Sequence, residues 1–310
     1  MTPPRISPLP RIVSLLSSAT ETACALGLAE HIVGISHECD YPPEVLDRPR
    51  VSSTKIDASR PSASIDRDVR ALVRGALSVY DVNDALLTEL APDVVLTQDL
   101  CRVCAVSLED VEAAYLRLTG KAARVVSTSP QSLAGIREDF QRIARAAGVA
   151  ERGERLVEDF DARLAAVAQR VEGAPRSRVL LLEWIDPPMV AGGWLPELAR
   201  IAGGEPVIVE RPGRFETVDW SRIEAADPDV VVVFPCGFDV QRTLRELDAA
   251  SGAGALRSLR ATRAGRTFAA DGNALFNRPG PRIAESVEVL AAALHPDLVP
   301  DGGRLARWPS

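Results

Sequence analysis

Apolar residues recur every three or four positions between residues 150 and 171, where the chain reads AERGERLVEDFDARLAAVAQRV. Leu156, Val157, Phe160, Leu164, Val167, Ala168 and Val171 form one stripe, while Glu151, Arg155, Glu158, Asp161, Arg163 and Arg170 take the other face. That spacing predicts a long amphipathic helix. On each side of it lies a half of similar grammar, and each half contains one version of the same phrase: LAPDVVLTQD at 90–99 and ADPDVVVVFP at 226–235. The expected fold is therefore α/β, with two Rossmann-like lobes at 1–148 and 173–310 joined by a helix at 149–172.

In the first half the apolar runs predict strands at 11–16, 31–36, 93–97 and 123–126, with helices at 17–28, 65–77, 85–90, 108–118 and 132–147. In the second half strands are expected at 178–184, 207–209, 230–234 and 266–269. Helices are expected at 195–202, 221–226, 244–250, 254–259 and 283–294, with a loop at 271–282 and a polar tail after the last helix.

Chemistry-bearing residues cluster after the strands, on the edge where parallel α/β sheets bind ligands. Ser17, Ser18, Ala19, Thr20 and Glu21 read as a helix start with capping chemistry, whose backbone N–H groups would face an open cleft. His37, Cys39 and Tyr41 stand in HECDYPP, a loop stiffened by Pro42 and Pro43. Gln98, Cys101 and Cys104 follow the strand at 93–97. Two thiols at CxxC spacing fit a redox pair or half of a tetrahedral metal site, or simply a packed thiol pair. Tyr41, Tyr80, Trp184, Trp194, Phe215, Trp220, Phe234 and Phe276 all fall at expected loops or strand ends. Singly, each suits core packing; together they fit an aromatic-lined cleft for a large, flat, partly apolar ligand. No GxSxG elbow surrounds Ser17 or Ser18, so a serine hydrolase is disfavoured.

Composition narrows the function classes. With 46% hydrophobic and 25% charged residues the chain is globular, and its net charge of −7 is spread without a basic block, which disfavours nucleic acid. No stretch is long and apolar enough to span a membrane. The run 12–20 is rich in Ser and Thr and makes a weak signal-peptide core, and Glu21 sits three residues before Cys24, an unsuitable place for a charge in a lipoprotein cleavage site. The expectation is a cytoplasmic protein whose five cysteines are free thiols or ligands.

Four segments carry a resemblance: RIVSLLSSATETACALGL with GISHECDYPPEV, then LAPDVVLTQDLCRVCAV, then DPPMVAGGW, and finally NRPGPRIAESVEVLA. In this order, over nearly the full length, the chain resembles the helical-backbone (class III) substrate-binding proteins of ABC transporters, and within them the cobalamin-binding branch. The resemblance implies non-catalytic binding of cobalamin or a related corrinoid in a cleft between two lobes, with no catalytic cofactor. It places Tyr41 and Pro42 on the first lobe's wall, Asp271, Phe276 and Arg278 on the second lobe's loop, and Trp194 on the loop before. Ser18 and Thr20 at the helix start, with Arg278, are available to a phosphate. It also implies a permease partner, docked in importers of this family through one acidic residue per lobe. By register those positions are Ala85 and Ser221, with Asp84 and Glu224 nearby. Cys39, Cys101 and Cys104 depart from what a cobalamin carrier requires, and with His37 they offer ligands for cobalt. The rival expectations are a siderophore or haem in the same fold, or a thiol- or metal-dependent enzyme centred on Cys101 and Cys104.

Overall fold

A computed structural model describes residues 9–74, 80–98, 123–209 and 215–309. The described chain divides into two compact units. One comprises Met1–Ile56, Ala71–Ser129 and Arg137–Val157; the other comprises Asp57–Arg70, Pro130–Ile136 and Glu158–Ser310.

The first unit is built on a four-stranded parallel sheet of β1 (Ile12–Ser14), β2 (Ile32–Ile35), β5 (Val94–Thr97) and β6 (Arg124–Ser127), in the order β2-β1-β5-β6. Nearly every side chain of β1, β2 and β5 is buried, as continuous apolar runs require when both faces of a sheet are covered. A small antiparallel pair, β3 (Ser52–Thr54) with β4 (Tyr80–Val82), lies outside this sheet. Both strands are only three residues long, and no hydrophobic pattern announced them. Gly34 in β2 is a required glycine, because a Cβ there would lie 2.7 Å from Leu90 Cδ1 and 3.0 Å from Val51 Cγ1.

The second unit holds a seven-stranded mixed sheet. Its strands are β7 (Ser177–Trp184), β8 (Met189–Val190), β9 (Gly204–Pro206), β10 (Glu216–Thr217), β11 (Val230–Val233), β12 (Thr267–Ala270) and β13 (Leu305–Arg307). The order is β10-β8-β7-β11-β12-β13, with β9 paired in parallel to the start of β7. The strand expected at 207–209 stands three residues earlier, as β9. The expected polar tail is a correction: it supplies β13, antiparallel to β12, and Trp308 behind it is buried, its Nε1 donating to Asp248 at 3.0 Å.

The long helix spans Ala150–Arg170, and the boundary between the units falls within it. In its first turn Arg152 Nη1 donates to Leu26 O at 3.0 Å; further on, Arg163 Nη2 meets Glu288 Oε1 at 2.9 Å. Neither unit is a continuous segment. Asp57–Arg70 belongs with the second unit because Arg242 donates to the carbonyls of Ala58 and Arg60, and Glu246 Oε2 accepts from the Ser62 amide at 3.0 Å.

Candidate functional site

In each unit the strand order reverses beside its first strand: β1 has β2 on one side and β5 on the other, and β7 has β9 and β11. The carboxyl ends at such a reversal form the expected ligand crevice of an α/β sheet. The residues found there differ in kind.

In the first unit, β2 runs into His37. The Arg50 guanidinium gathers this turn by donating through Nη1 to the carbonyls of Ser36, His37 and Cys39 at 2.8, 3.1 and 2.9 Å. Ser52 Oγ of β3 accepts from the His37 amide at 3.2 Å and lies 2.9 Å from Nδ1. The ring rests on Tyr80 of β4, centroids 4.7 Å apart, and Tyr80 donates to Glu38 Oε1 at 2.7 Å. Nε2 of His37 is buried without a hydrogen-bond partner; Glu38 Oε1 stands 3.9 Å away, beyond bonding distance. Burial pushes the imidazole's pKa below its ordinary value, Glu38 opposing this and Arg50 adding to it. Burial thus favours the neutral imidazole, which is fixed through one nitrogen.

Tyr41 is exposed and Pro42 buried, joined by a cis peptide bond, and Gln98 is half-buried just past β5. The helix start is a correction. The Ser17–Ala25 helix is preceded by Leu16, which offers no side-chain cap, and Ser18 and Thr20 are buried. Thr20 Oγ1 bonds to the Leu16 carbonyl at 3.2 Å and to Cys39 Sγ at 3.1 Å, so this hydroxyl serves the unit's interior. The Cys39 side chain is wholly buried in the first unit's core. The neighbouring Cys24 thiol is pushed up to about 12, by burial first and then by Glu44, Cys39 and Glu21. Cys101 and Cys104 lie outside the described residues. Among the described ones, no group of three His, Cys, Asp or Glu could hold a metal ion.

In the second unit the corresponding edge is lined by rings. Phe234 and Phe276 stack at 4.2 Å and 14°, Trp194 Nε1 donates to the Phe276 carbonyl at 3.0 Å, and Phe215 stands edge-on to Trp194 at 6.2 Å. Phe234, Phe276 and Trp194 are buried, so these expected ligand residues sit as packing residues of the unit. Asp271 Oδ1 accepts from the amides of Asn273 and Ala274 at 2.9 and 2.7 Å, shaping the turn after β12. That turn presses on the end of β11, since a Cβ on Gly272 would collide with the carbonyls of Phe234 and Pro235. Arg278 is buried and donates to Asn273 Oδ1 at 2.9 Å, inside the same loop. Trp184, half-buried at the end of β7, lies 5.2 Å from Phe238 and has no partner for its indole N–H. The Arg242 guanidinium covers the Phe238 ring at 3.7 Å.

Sequence reasoning missed Arg50, Ser52, Phe238, Arg242 and Asn277, whose Nδ2 donates to the carbonyls of Phe234 and Gly272 at 2.9 and 3.1 Å. Asn277 lay inside NRPGPR, beside Arg278, and was legible there. Arg50 and Arg242 looked like ordinary surface arginines.

Each α/β unit reverses its strand order beside its first strand and so presents an edge suited to a solute, with a fixed imidazole in the first unit and rings in the second. Residues 12–274 match the model of the periplasmic binding protein family, and the chain belongs to that family. Its members are substrate-binding proteins, not enzymes. The chain is 22% identical over 294 residues to an uncharacterized ABC transporter substrate-binding lipoprotein, YvrC, of Bacillus subtilis strain 168, covering 93% of this chain and 80% of that one. It is 22% identical over 232 residues to a vitamin B12-binding protein of Vibrio vulnificus strain YJ016, 74% of this chain and 72% of the other. In structure it is similar to a periplasmic haem-binding protein from Pseudomonas aeruginosa, with a TM-score of 0.72, 20% identity and coverage of 96% and 98%. These likenesses correct the cytoplasmic expectation: the similar proteins are a lipoprotein and a periplasmic protein, exported rather than cytoplasmic. The expectation rested on a weak leader pattern in residues 1–24, of which 1–8 lie outside the described residues. Among the described residues, no helix is long and apolar enough to cross a membrane.

Proposed function

We propose that the protein is the solute-binding component of an ABC importer for a planar metal chelate, a corrinoid such as cobalamin in the first place and haem as the rival. The observation that carries this reading is His37 Nε2. A buried polar atom left unpartnered costs about 1–3 kcal/mol, and a structure keeps one where something else satisfies it. Imidazole held through its other nitrogen is the usual form of a metal-ligating histidine, and it suits cobalt and iron alike. The neutral form favoured by burial is the one that ligates. A relative that binds vitamin B12 and a structural neighbour that binds haem both support a tetrapyrrole-like solute.

The test is equilibrium binding of hydroxocobalamin, cobinamide, haemin and a ferric siderophore, with visible spectra of the wild type and His37→Ala. The expected result is saturable binding of a corrinoid, with bands that shift on His37→Ala and affinity falling about 10-fold or more. Identical spectra would remove the axial role of His37. Failure of every corrinoid and of haemin would sink the solute class.

The partner on this reading is a permease. Asp84 and Glu224 are the exposed acids beside the matched positions Ala85 and Ser221.

A further inference from the structure

At the opposite margin of the first unit's sheet from His37 lies a groove of about 320 Å³ between β6 and the Leu133–Ala146 helix, lined by Arg124, Ser127, Arg142 and Arg145 among others. β2 and β6 are the outer strands of the order β2-β1-β5-β6, so the groove is separate from the His37 cluster. Its volume falls at the small end of the roughly 300–1,000 Å³ typical of ligand pockets.

Three exposed arginines line this groove, and each makes its bonds to described residues through Nη1. Arg124 Nη1 donates to the Ala146 carbonyl at 3.2 Å, Arg142 Nη1 to the Ser127 carbonyl at 2.6 Å and to Asp139 Oδ1 at 3.0 Å, and Arg145 Nη1 to Gln141 Oε1 at 3.5 Å. The Nε and Nη2 donors of all three make no bond to a described residue. Among the described residues Asp139 is the one carboxylate paired with these arginines, which leaves them an excess of about two positive charges at the level of unit charges. Ser127 Oγ is buried in its wall and has no hydrogen-bond partner. The remaining guanidinium donors are open to solvent, and an oxyanion with several acceptor oxygens can accept from such forks bidentately and from the serine hydroxyl.

We propose that this groove binds a phosphate-type oxyanion, carried by a small phosphomonoester or by an anionic lipid headgroup. A guanidinium fork matches the oxygens of a phosphoryl group, and the groove has room for more than the group alone. The site stands independently of the chelate reading.

The experiment is calorimetric titration of the full-length protein at fixed ionic strength with inorganic phosphate, glycerol phosphate and, as controls, chloride and sulfate. A parallel arm measures sedimentation with phosphatidylcholine vesicles with and without phosphatidic acid. Arg145→Gln is the informative variant, because among the described residues Arg145 bonds only to Gln141. Ser127→Ala is the second, and circular dichroism with chemical denaturation checks that both fold. The expected result is saturable binding of the phosphomonoester or of the acidic vesicles, weakened about tenfold by Arg145→Gln, a loss of ~1.4 kcal/mol, and less by Ser127→Ala. Binding confined to vesicles and lost in Arg145→Gln assigns the phosphate to a lipid. Absence of binding in both arms, affinity unchanged in both folded variants, or equal competition by chloride overturns the proposal.

Discussion

In the first unit the amide of Arg11 donates to Asp93 Oδ2 at 2.9 Å; in the second the amide of Arg178 donates to Asp229 Oδ2 at 2.8 Å. Each aspartate's own amide returns a bond to the carbonyl of the same arginine, at 2.9 and 2.8 Å. Two residues earlier each chain turns through a left-handed residue, Ala91 at φ 41° and Asp227 at φ 38°, and each arginine side chain ties down a nearby carbonyl, Leu90 or Asp227. The PDVV phrase thus encodes one device used twice: a helix end, a left-handed turn, and an aspartate that aligns two parallel strands. What stands above the device is not repeated. The first unit's strand ends carry a polar cluster around His37, and the second unit's carry a packed aromatic layer. The device recurs while the edges above it differ, polar around His37 in the first unit and packed rings in the second.

The largest effect should come from the aromatic layer. Phe276→Ala removes a fully buried ring stacked on Phe234 and should cost about 3–5 kcal/mol in denaturant unfolding. His37→Ala in the first unit gives up one hydrogen bond to Ser52 and should cost about 1 kcal/mol. Equal losses would erase the contrast between a structural edge and a chemical one.

A smaller effect separates the two copies of the clamp. Asp229 is held additionally by Arg260, whose Nη2 lies 2.7 Å away, while Asp93 has no ion pair among the described residues. The bond from the Arg178 amide and then Arg260 hold the Asp229 carboxyl below the usual carboxylate range. Asp229→Ala should therefore destabilise by about 1.5–3 kcal/mol and Asp93→Ala by about 0.5–1.5. A depressed carboxylate contributes stability above its unfolded pKa and loses it as pH falls through the lower folded value. Acid titration should therefore erase the Asp229 increment only below about pH 3.9. Indistinguishable variants would show that Arg260 adds nothing.

Much of this frame was legible in the chain. Val94, Val95, Val230 and Val231 announce strands buried on both faces, and the Pro-Asp pairs Pro92-Asp93 and Pro228-Asp229 mark where they begin. The helix at Ile283–Leu294 lies where its apolar run places it. The interleaving of the units was not legible, because Asp57–Arg70 is assigned by bonds from Arg242 and Glu246, more than 180 positions away, with no local pattern to record them. The site was legible by position more than by role. A phenylalanine at a strand end can face inward or outward at no cost in pattern, so Phe234 and Phe276 read as ligand residues and sit as packing. Thr20 and Cys39 carry the same ambiguity, since polar atoms that bond to each other in the interior look, in sequence, like polar atoms waiting for a solute. His37 stands at the end of β2 as its run predicted, but Ser52 and Arg50, which fix it, sit in short polar stretches that carry no periodicity.

The smallest effect sharpens the comparison by pH. Burial, with Arg50 adding and Glu38 opposing, sets the folded-state pKa of His37 below its ordinary 6.5. The unfolded chain therefore binds a proton more readily than the folded one. By linkage, stability rises with pH wherever the unfolded state holds more protons. The contribution is complete above pH 6.5 and is lost as pH falls from there through the depressed folded value, a window well above that of Asp229. His37→Gln keeps a polar side chain without the titration, so its unfolding free energy should be flatter between pH 7 and pH 5 than the wild type's. A corrinoid bound through Nε2 would depress the histidine further, because metal and proton compete for one lone pair. Chemical denaturation at five pH values, with and without hydroxocobalamin, measures both slopes. If His37→Gln and the wild type run parallel over that range, the imidazole is not held neutral by its surroundings, and the first unit's edge loses the feature that separates it from the second's.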